Sequence, residues 1–285
     1  MSIQMRWLGN AGFEFEMGGL TLIVDPFLTR PKAHNLFFER VEPDEAALRK
    51  HIARCDHILV THAHFDHCMD APEIALRTGA VVHGSANTCA IMRAAGVPEG
   101  QIRFIEANTS FNISEIGVSV FQAAHPLIPG YTPGRMNPAL AFPAHLRDYR
   151  MDACYSYLLE YKGRRILIWS STRSTGAPRA DLLTCRAVSG QRWYEELLNQ
   201  VQPRVVIPQH WDNFFQPLSS HPRPFFGVPR LGFPPVRRID LGDFKNCVMK
   251  ARPECRVLLP DIFNVYPIDL PVNSTTDTHR KMLNG

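Results

Sequence analysis

Residues 61–67 read Thr-His-Ala-His-Phe-Asp-His, which sets three imidazoles and one carboxylate within six consecutive positions. Neutral imidazole and carboxylate are the donor set preferred by zinc and accepted by iron and manganese. Residues two apart on an extended segment point the same way, so His62 and His64 share one side of the chain. A tight turn after them brings Asp66 and His67 round to a second point, and one short loop then donates to two neighbouring cations. A lone histidine is usually a surface or packed residue, but four ligand-type residues in six positions favour a metal site. Cys68 follows directly; it is a soft donor by chemistry, yet it reads better as a small buried side chain.

The surrounding pattern indicates what must hold this loop. A buried-type strand over 57–61 runs straight into the cluster. Upstream, Ile3 to Val24 alternates apolar and polar residues around Gly18-Gly19, the pattern of a hairpin, and ends in Asp25-Pro26. Pro43-Asp44 caps a helix over 45–53. Beyond the cluster the spacing predicts a helix at 70–77, a strand at 80–83, a helix capped by Ser85 and stopped by Gly96, and strands at 102–105, 110–114 and 117–123. The second half repeats the theme with strands at 154–161 and 164–169, a helix at 192–201, a strand at 204–208, a helix at 243–251 and a strand at 256–259. Helices that each need a sheet face to cover imply an α/β fold of two packed sheets with helices outside. The segments 126–151 and 212–238 are rich in Pro, Phe and Arg without sustained periodicity, as expected of lids or binding loops.

Bulk properties narrow the function classes. The 285 residues are 45% hydrophobic and 20% charged, which predicts one globular domain with a sizeable core. The net charge of +4 is scattered with no run of five or more basic residues, so nucleic acid is not an expected partner. Apolar runs such as Leu20–Val24 are strand-sized, which predicts no membrane span and a cytoplasmic chain. Seven widely spaced cysteines without a CxxC pair read as reduced thiols. Homo-oligomerisation stays open.

The stretch His-Ala-His-Phe-Asp-His resembles the His-x-His-x-Asp-His signature of the metallo-β-lactamase superfamily. Other landmarks of that family fall in order: Asp25 in Asp-Pro-Phe, His125 in Ala-Ala-His-Pro and His210 in Val-Ile-Pro-Gln-His-Trp-Asp. The resemblance spans about residues 3–260. The opening WLGNAGFEFEMGGLTLIVDPF and the later IPQHWDNF look most like the L-ascorbate-6-phosphate lactonase-like branch, close to the N-acylphosphatidylethanolamine phospholipase D group. The resemblance implies a four-layer αββα sandwich in which His62, His64 and His125 hold one metal and Asp66, His67 and His210 hold a second. Zn²⁺ is the leading ion, with Mn²⁺ or Fe²⁺ as alternatives.

One departure matters. The family places a bridging aspartate in a Gly-Asp-Thr context, where this chain reads Ser170-Ser171-Thr172, so Ser171 stands in the aspartate's place. Three histidines still suffice for one Zn²⁺ with an open position, whereas the second ion loses its shared anion. One tight metal and a weak or absent second are therefore expected, and Asp66 becomes available as general base or acid. Asp152, Asp181 and Asp212 are candidate replacement carboxylates, although Asp212 reads better as a residue behind the ligands or in the loop, and Asp25 as a hydrogen-bond partner for a ligand histidine. Arg173 is either an anion clamp or an exposed loop residue. Arg135, Arg147, Arg150, Arg223, Arg230, Arg237 and Arg238, taken with Phe214, Phe215, Phe225, Phe226 and Phe233, suggest a pocket with a greasy wall and a basic rim.

The resulting expectation is a metal-dependent hydrolase that uses metal-bound hydroxide on an ester, lactone or phosphodiester bond of a small anionic or amphiphilic substrate. A β-lactam substrate and a nuclease role are disfavoured. The alternatives are an iron-dependent redox enzyme, or a metal-binding module that lost catalysis with the bridging carboxylate.

Overall fold

The computed structural model describes residues 3–32, 39–126, 133–137, 139–227 and 237–268. The alternating N-terminal stretch forms three antiparallel strands, β1 (Ile3–Gly9), β2 (Gly12–Met17) and β3 (Leu20–Val24). Gly18 and Gly19 turn between the last two at φ of 64° and 78°, a region that suits residues without a Cβ. From β3 the sheet continues in parallel through β4 (His57–Leu59), β5 (Val81–Gly84) and β6 (Ile102–Phe104). Parallel neighbours need crossovers. These are α1 (Glu45–His51), the pair α2 (Phe65–Cys68) and α3 (Ala71–Thr78), and α4 (Ala86–Ala94). Caps anticipated from sequence are in place: Asp44 accepts from the N–H of Ala47, and Ser85 from that of Thr88.

The second sheet runs through β7 (Ser110–Ile113), β8 (Ile116–Gln122), β9 (Tyr155–Tyr161) and β10 (Arg164–Trp169) in antiparallel fashion. It then turns parallel through β11 (Leu182–Arg186), β12 (Val205–Gln209) and β15 (Arg256–Val257). The helices α5 (Gln191–Val201) and α6 (Leu241–Ala251) form the later crossovers. A two-stranded ribbon pairs β13 (Phe226–Gly227) with β14 (Arg237–Arg238), and β16 (Val265–Ile268) returns to the edge of the first sheet beside β1. The sheet orders are β16-β1-β2-β3-β4-β5-β6 and β15-β12-β11-β10-β9-β8-β7. Strands β11, β13, β14 and β16, and the turn at Asn10 that makes three strands of the expected two-stranded hairpin, are additions to the elements read from sequence.

Two apolar layers hold this arrangement. Between the sheets, Trp7, Phe13 and Phe15 share one apolar cluster with Val118, Leu159 and Ile166. Tyr194, Leu197, Leu198 and Val201 lie on one stripe of α5 and cover the second sheet, each burial contributing about 1.5–3 kcal/mol. Outside the first sheet, Leu48 of α1, Ile74 of α3 and Ile91 of α4 pack on Ile23, Ile58 and Val82. The layers are helix, sheet, sheet, helix: an αββα sandwich.

The two irregular segments are described in part. Within 126–151, Ala144, Leu146 and Tyr149 are buried in the outer apolar layer. Residues 127–132, 138 and 228–236, among them Arg230 and Phe233, lie outside the described residues, as does the side chain of Arg237. All seven cysteines are free thiols, and burial pushes the Cys68 thiol well above its ordinary range. No helix among the described residues is long and apolar enough to cross a membrane.

Candidate metal centre

Three strand ends of the two facing sheets deliver the histidines. After β4 the chain stays extended through Val60 and Thr61, with the Thr61 N–H donating to Asp25 Oδ1 at 2.7 Å. His62 and His64 follow, and His64 enters α2 in an extended conformation, φ −68° and ψ 153°. The single helical turn of α2 carries Asp66 and His67 round to a second point. His125 lies three residues beyond β8, and His210 follows β12 directly with its N–H on the Asn10 carbonyl at 3.0 Å.

The six residues converge as two trios, His62–His64–His125 and Asp66–His67–His210, and within each trio the donor atoms lie within 4.8 Å of one another. Ring centroids of His62 and His64 are 4.7 Å apart, His62 and His125 4.7 Å, and His64 and His125 4.8 Å. His67 lies 3.9 Å from His62 and 5.4 Å from His210. The outward nitrogens have partners that aim the inward ones. His125 Nδ1 donates to the Pro126 carbonyl at 2.7 Å, His67 Nδ1 donates to Asp25 Oδ2 at 2.7 Å, and His62 Nδ1 meets Thr61 Oγ1 at 3.0 Å.

The donor set fits a metal ion. His62 Nε2 and Asp66 Oδ1 are buried with no hydrogen-bond partner among the described residues, a costly arrangement that coordination would relieve. Charge divides the trios. Burial pushes His62 well below the ordinary imidazole range, His64 to about 3 and His125 to about 4, so the first trio is neutral and ligand-ready. At His67 burial also opposes charge, but Asp66 and Asp25 on either side outweigh it and raise the pKa to about 10. Burial of Asp66 is likewise outweighed, by His67 and His210, which hold its carboxyl well below the usual range. In the second trio the His67 ring thus lies between two carboxylates, those of Asp25 and Asp66.

A polar brace lies behind Asp66. Asn10, at φ 51° in the β1–β2 turn, donates from Nδ2 to the Asp66 carbonyl at 3.0 Å and to its Oδ2 at 3.3 Å. Its own N–H donates to Asp212 Oδ1 at 2.7 Å, and Asp212 Oδ2 pairs with the buried Arg30 at 3.1 Å. Asn10, Asp25 and His210 all adopt left-handed backbone conformations, which non-glycine residues accept only where surroundings enforce them. Sequence reasoning missed Asn10 and Arg30; a polar residue between Gly9 and Ala11 in a tight turn was the available signal for the first.

At the altered bridging position the two serines differ in their surroundings. Ser171 is buried, but its Oγ accepts the N–H groups of Ala124 and Arg173, both at 3.1 Å, and it is absent from the cavity wall. Ser170 lines the cavity instead, with Oγ buried and no hydrogen-bond partner among the described residues. Arg173 is exposed and also absent from that wall. The candidate replacement carboxylates are committed elsewhere: Asp152 binds Ser85 Oγ and the Asn87 N–H, Asp181 binds the Arg165 N–H, and Asp212 joins the brace.

The trios open onto a cavity of about 220 Å³. Its polar side carries His62, His67, His125, His210, Ser170, Thr172 and Gln209; its apolar side carries Val188, Phe214, Phe225, Phe226 and Ile239. Arg186, at the end of the unanticipated strand β11, lines it as well.

Residues 15–136 match the model of the metallo-beta-lactamase superfamily. The chain is 34% identical over 214 residues to a UPF0173 metal-dependent hydrolase of Pyrobaculum arsenaticum, an alignment covering 74% of this chain and 85% of the relative. It is 35% identical over 237 residues to a similarly named protein of Methanopyrus kandleri, covering 78% and 90%. Among solved structures, the metallo hydrolase Igni18 of Ignicoccus hospitalis aligns over 95% of this chain and all of its own, with a TM-score of 0.62 at 16% identity, a likeness of fold. With the signature residues gathered at one rim of an αββα sandwich and relatives of this length and identity, the chain belongs to the metallo-beta-lactamase superfamily.

Proposed function

We propose that this protein is a metal-dependent hydrolase acting on an ester, lactone or phosphodiester bond of a small anionic or amphiphilic substrate. The observation that carries the reading is the meeting of six donor residues from three separate strand ends, with His62, His67, His125 and His210 of the six lining one cavity. His62, His64 and His125 would hold one Zn²⁺, while Asp66, His67 and His210 would hold a second ion weakly, because no carboxylate among the described residues bridges the trios. Bound there, the metal supplies a nucleophile from water near neutrality and polarises the scissile bond.

The chain's own residues do the rest. Asp66 stays ionised beside His67 and His210, so it suits orienting the attacking water by accepting a hydrogen bond better than storing a proton. Ser170 and Thr172 offer hydroxyls at the cavity wall, and the phenylalanines exclude water from its far side. The opening and closing motifs favour the L-ascorbate-6-phosphate lactonase-like branch, and this small cavity with a phenylalanine wall accords with a compact substrate.

Replacing His62 and His64 together by alanine is expected to abolish stoichiometric zinc, measured by plasma mass spectrometry, together with hydrolysis in a lactone and phosphodiester screen. Unchanged metal content in that variant would sink the proposal, and bound iron with oxygen consumption would replace hydrolysis by oxidation.

A further inference from the structure

Arg186 ends β11 in register with Gln209, the residue before His210, and lines the cavity shared by the histidines. The preceding four residues of the strand are buried, and Arg186 itself is half-buried. Its backbone is already secured: the Tyr194 hydroxyl donates to its carbonyl at 3.0 Å, and the next N–H, of Ala187, reaches the Gln209 carbonyl at 3.2 Å. The guanidinium is therefore not needed to hold the strand end. No acidic side chain among the described residues pairs with it, and burial lowers its pKa, opposed chiefly by Tyr194 and Cys185. A cation kept partly out of water beside a ligand-ready site, with no counter-ion among the described residues, is suited to receive an anion. Phe225, Phe226, Val188 and Ile239 supply an apolar surface in the same cavity.

We infer that Arg186 receives the acidic group, carboxylate or phosphate, of a small substrate whose body lies on the Phe225–Phe226 wall while its scissile bond reaches the histidines. The inference rests on the hydrolase reading for the last of these contacts only. The planar guanidinium suits either acid through paired N–H donors, which a lysine ammonium cannot reproduce.

The test is calorimetric titration of the whole protein with octyl phosphate, octanoate and neutral octanol, before and after zinc loading, for wild type, Arg186→Gln and Arg186→Lys. At least one acid is expected to bind wild type about tenfold or more tighter than Arg186→Gln, with Arg186→Lys between them and octanol indifferent to either change. Octyl phosphate against octanoate identifies the acid. Zinc content of Arg186→Gln is expected to equal that of wild type, so a lost anion site is separable from a lost metal site. Equal acid affinity in wild type and Arg186→Gln, or wild-type binding of both acids no tighter than of octanol, overturns the inference. Arginine-dependent binding in the zinc-free protein upholds the anion site even if no hydrolysis is ever found.

Discussion

Asp25 never enters the cavity wall, yet it fixes the residues that do. Its Oδ2 accepts from His67 Nδ1 at 2.7 Å and from Thr61 Oγ1 at 2.6 Å, and its Oδ1 takes the Thr61 N–H, all fully buried. It thereby sets the tautomer of His67 and anchors the strand exit that leads to His62. The substitution Asp25→Asn keeps the shape and removes the charge. Zinc affinity by chelator competition is expected to fall roughly 10–100-fold, with the fold retained by circular dichroism; an unchanged affinity would dismiss the orienting role. The hydrogen bond of Asp25 to a histidine of the cluster was readable from its place in the motif. The contacts of Asn10 and Arg30 were not, because nothing local links residue 10 to residue 66; only the packing of the β1–β2 turn on α2 does so.

At the scale of elements, the exits of β8 and β10 are tied across the intervening β9. Ser171 Oγ accepts from the Ala124 N–H, and the Thr172 N–H donates to the Ala124 carbonyl at 2.7 Å, one residue before His125. Ser171→Ala would leave two backbone donors without their acceptor, at a cost on the order of 1–3 kcal/mol. A melting temperature lower by several degrees and weaker zinc binding are the expected readouts. Ser170→Asp, by contrast, puts a carboxylate at the cavity, and metal content is expected to rise from one ion per chain toward two. A second ion gained by Ser171→Asp instead would reverse this assignment of the two serines. Strand alternation accounts for the difference between the two serines: a shift of a single residue at a strand end turns a side chain to the opposite face. The same scale explains the missed β11, whose Leu-Leu-Thr-Cys-Arg run is too short to show periodicity and is defined by its neighbours β10 and β12. With that strand unrecognised, Arg186 had no reason to be placed near the histidines.

For the whole molecule, the sheets also meet away from the metal centre, at His83. It sits on β5, 3.1 Å from His57 through ring nitrogens, and stacks at 5.0 Å on Phe111 of the opposite sheet. Burial lowers its pKa to about 3, with His57 and Arg103 adding to the effect. The unfolded imidazole titrates near 6.5, so below that pH the unfolded chain binds a proton that the folded chain refuses. This contribution to stability is present in full above about pH 6.5 and is lost as pH falls toward 3. From pH 7 to pH 4.5 the loss from this group is roughly 2 kcal/mol. Urea unfolding at the two pH values should show a smaller difference for His83→Phe than for wild type, and equal differences would exclude His83 as a source of acid sensitivity.

The chain's covalent order determined the donor types, their local spacing and the alternation of strands with helices, because these depend on residue chemistry and on periods of two and 3.6. The helix at Ala86–Ala94 follows from its Ser85 cap, and those at Ala71–Thr78 and Gln191–Val201 from amphipathic spacing within their own windows. Which serine lines the cavity, which arginine lines it with the histidines and what braces Asp66 are visible only in the tertiary structure. Those contacts join residues tens to hundreds of positions apart, and their direction depends on sheet register and on the packing of two sheets, neither of which is encoded in any single stretch of sequence.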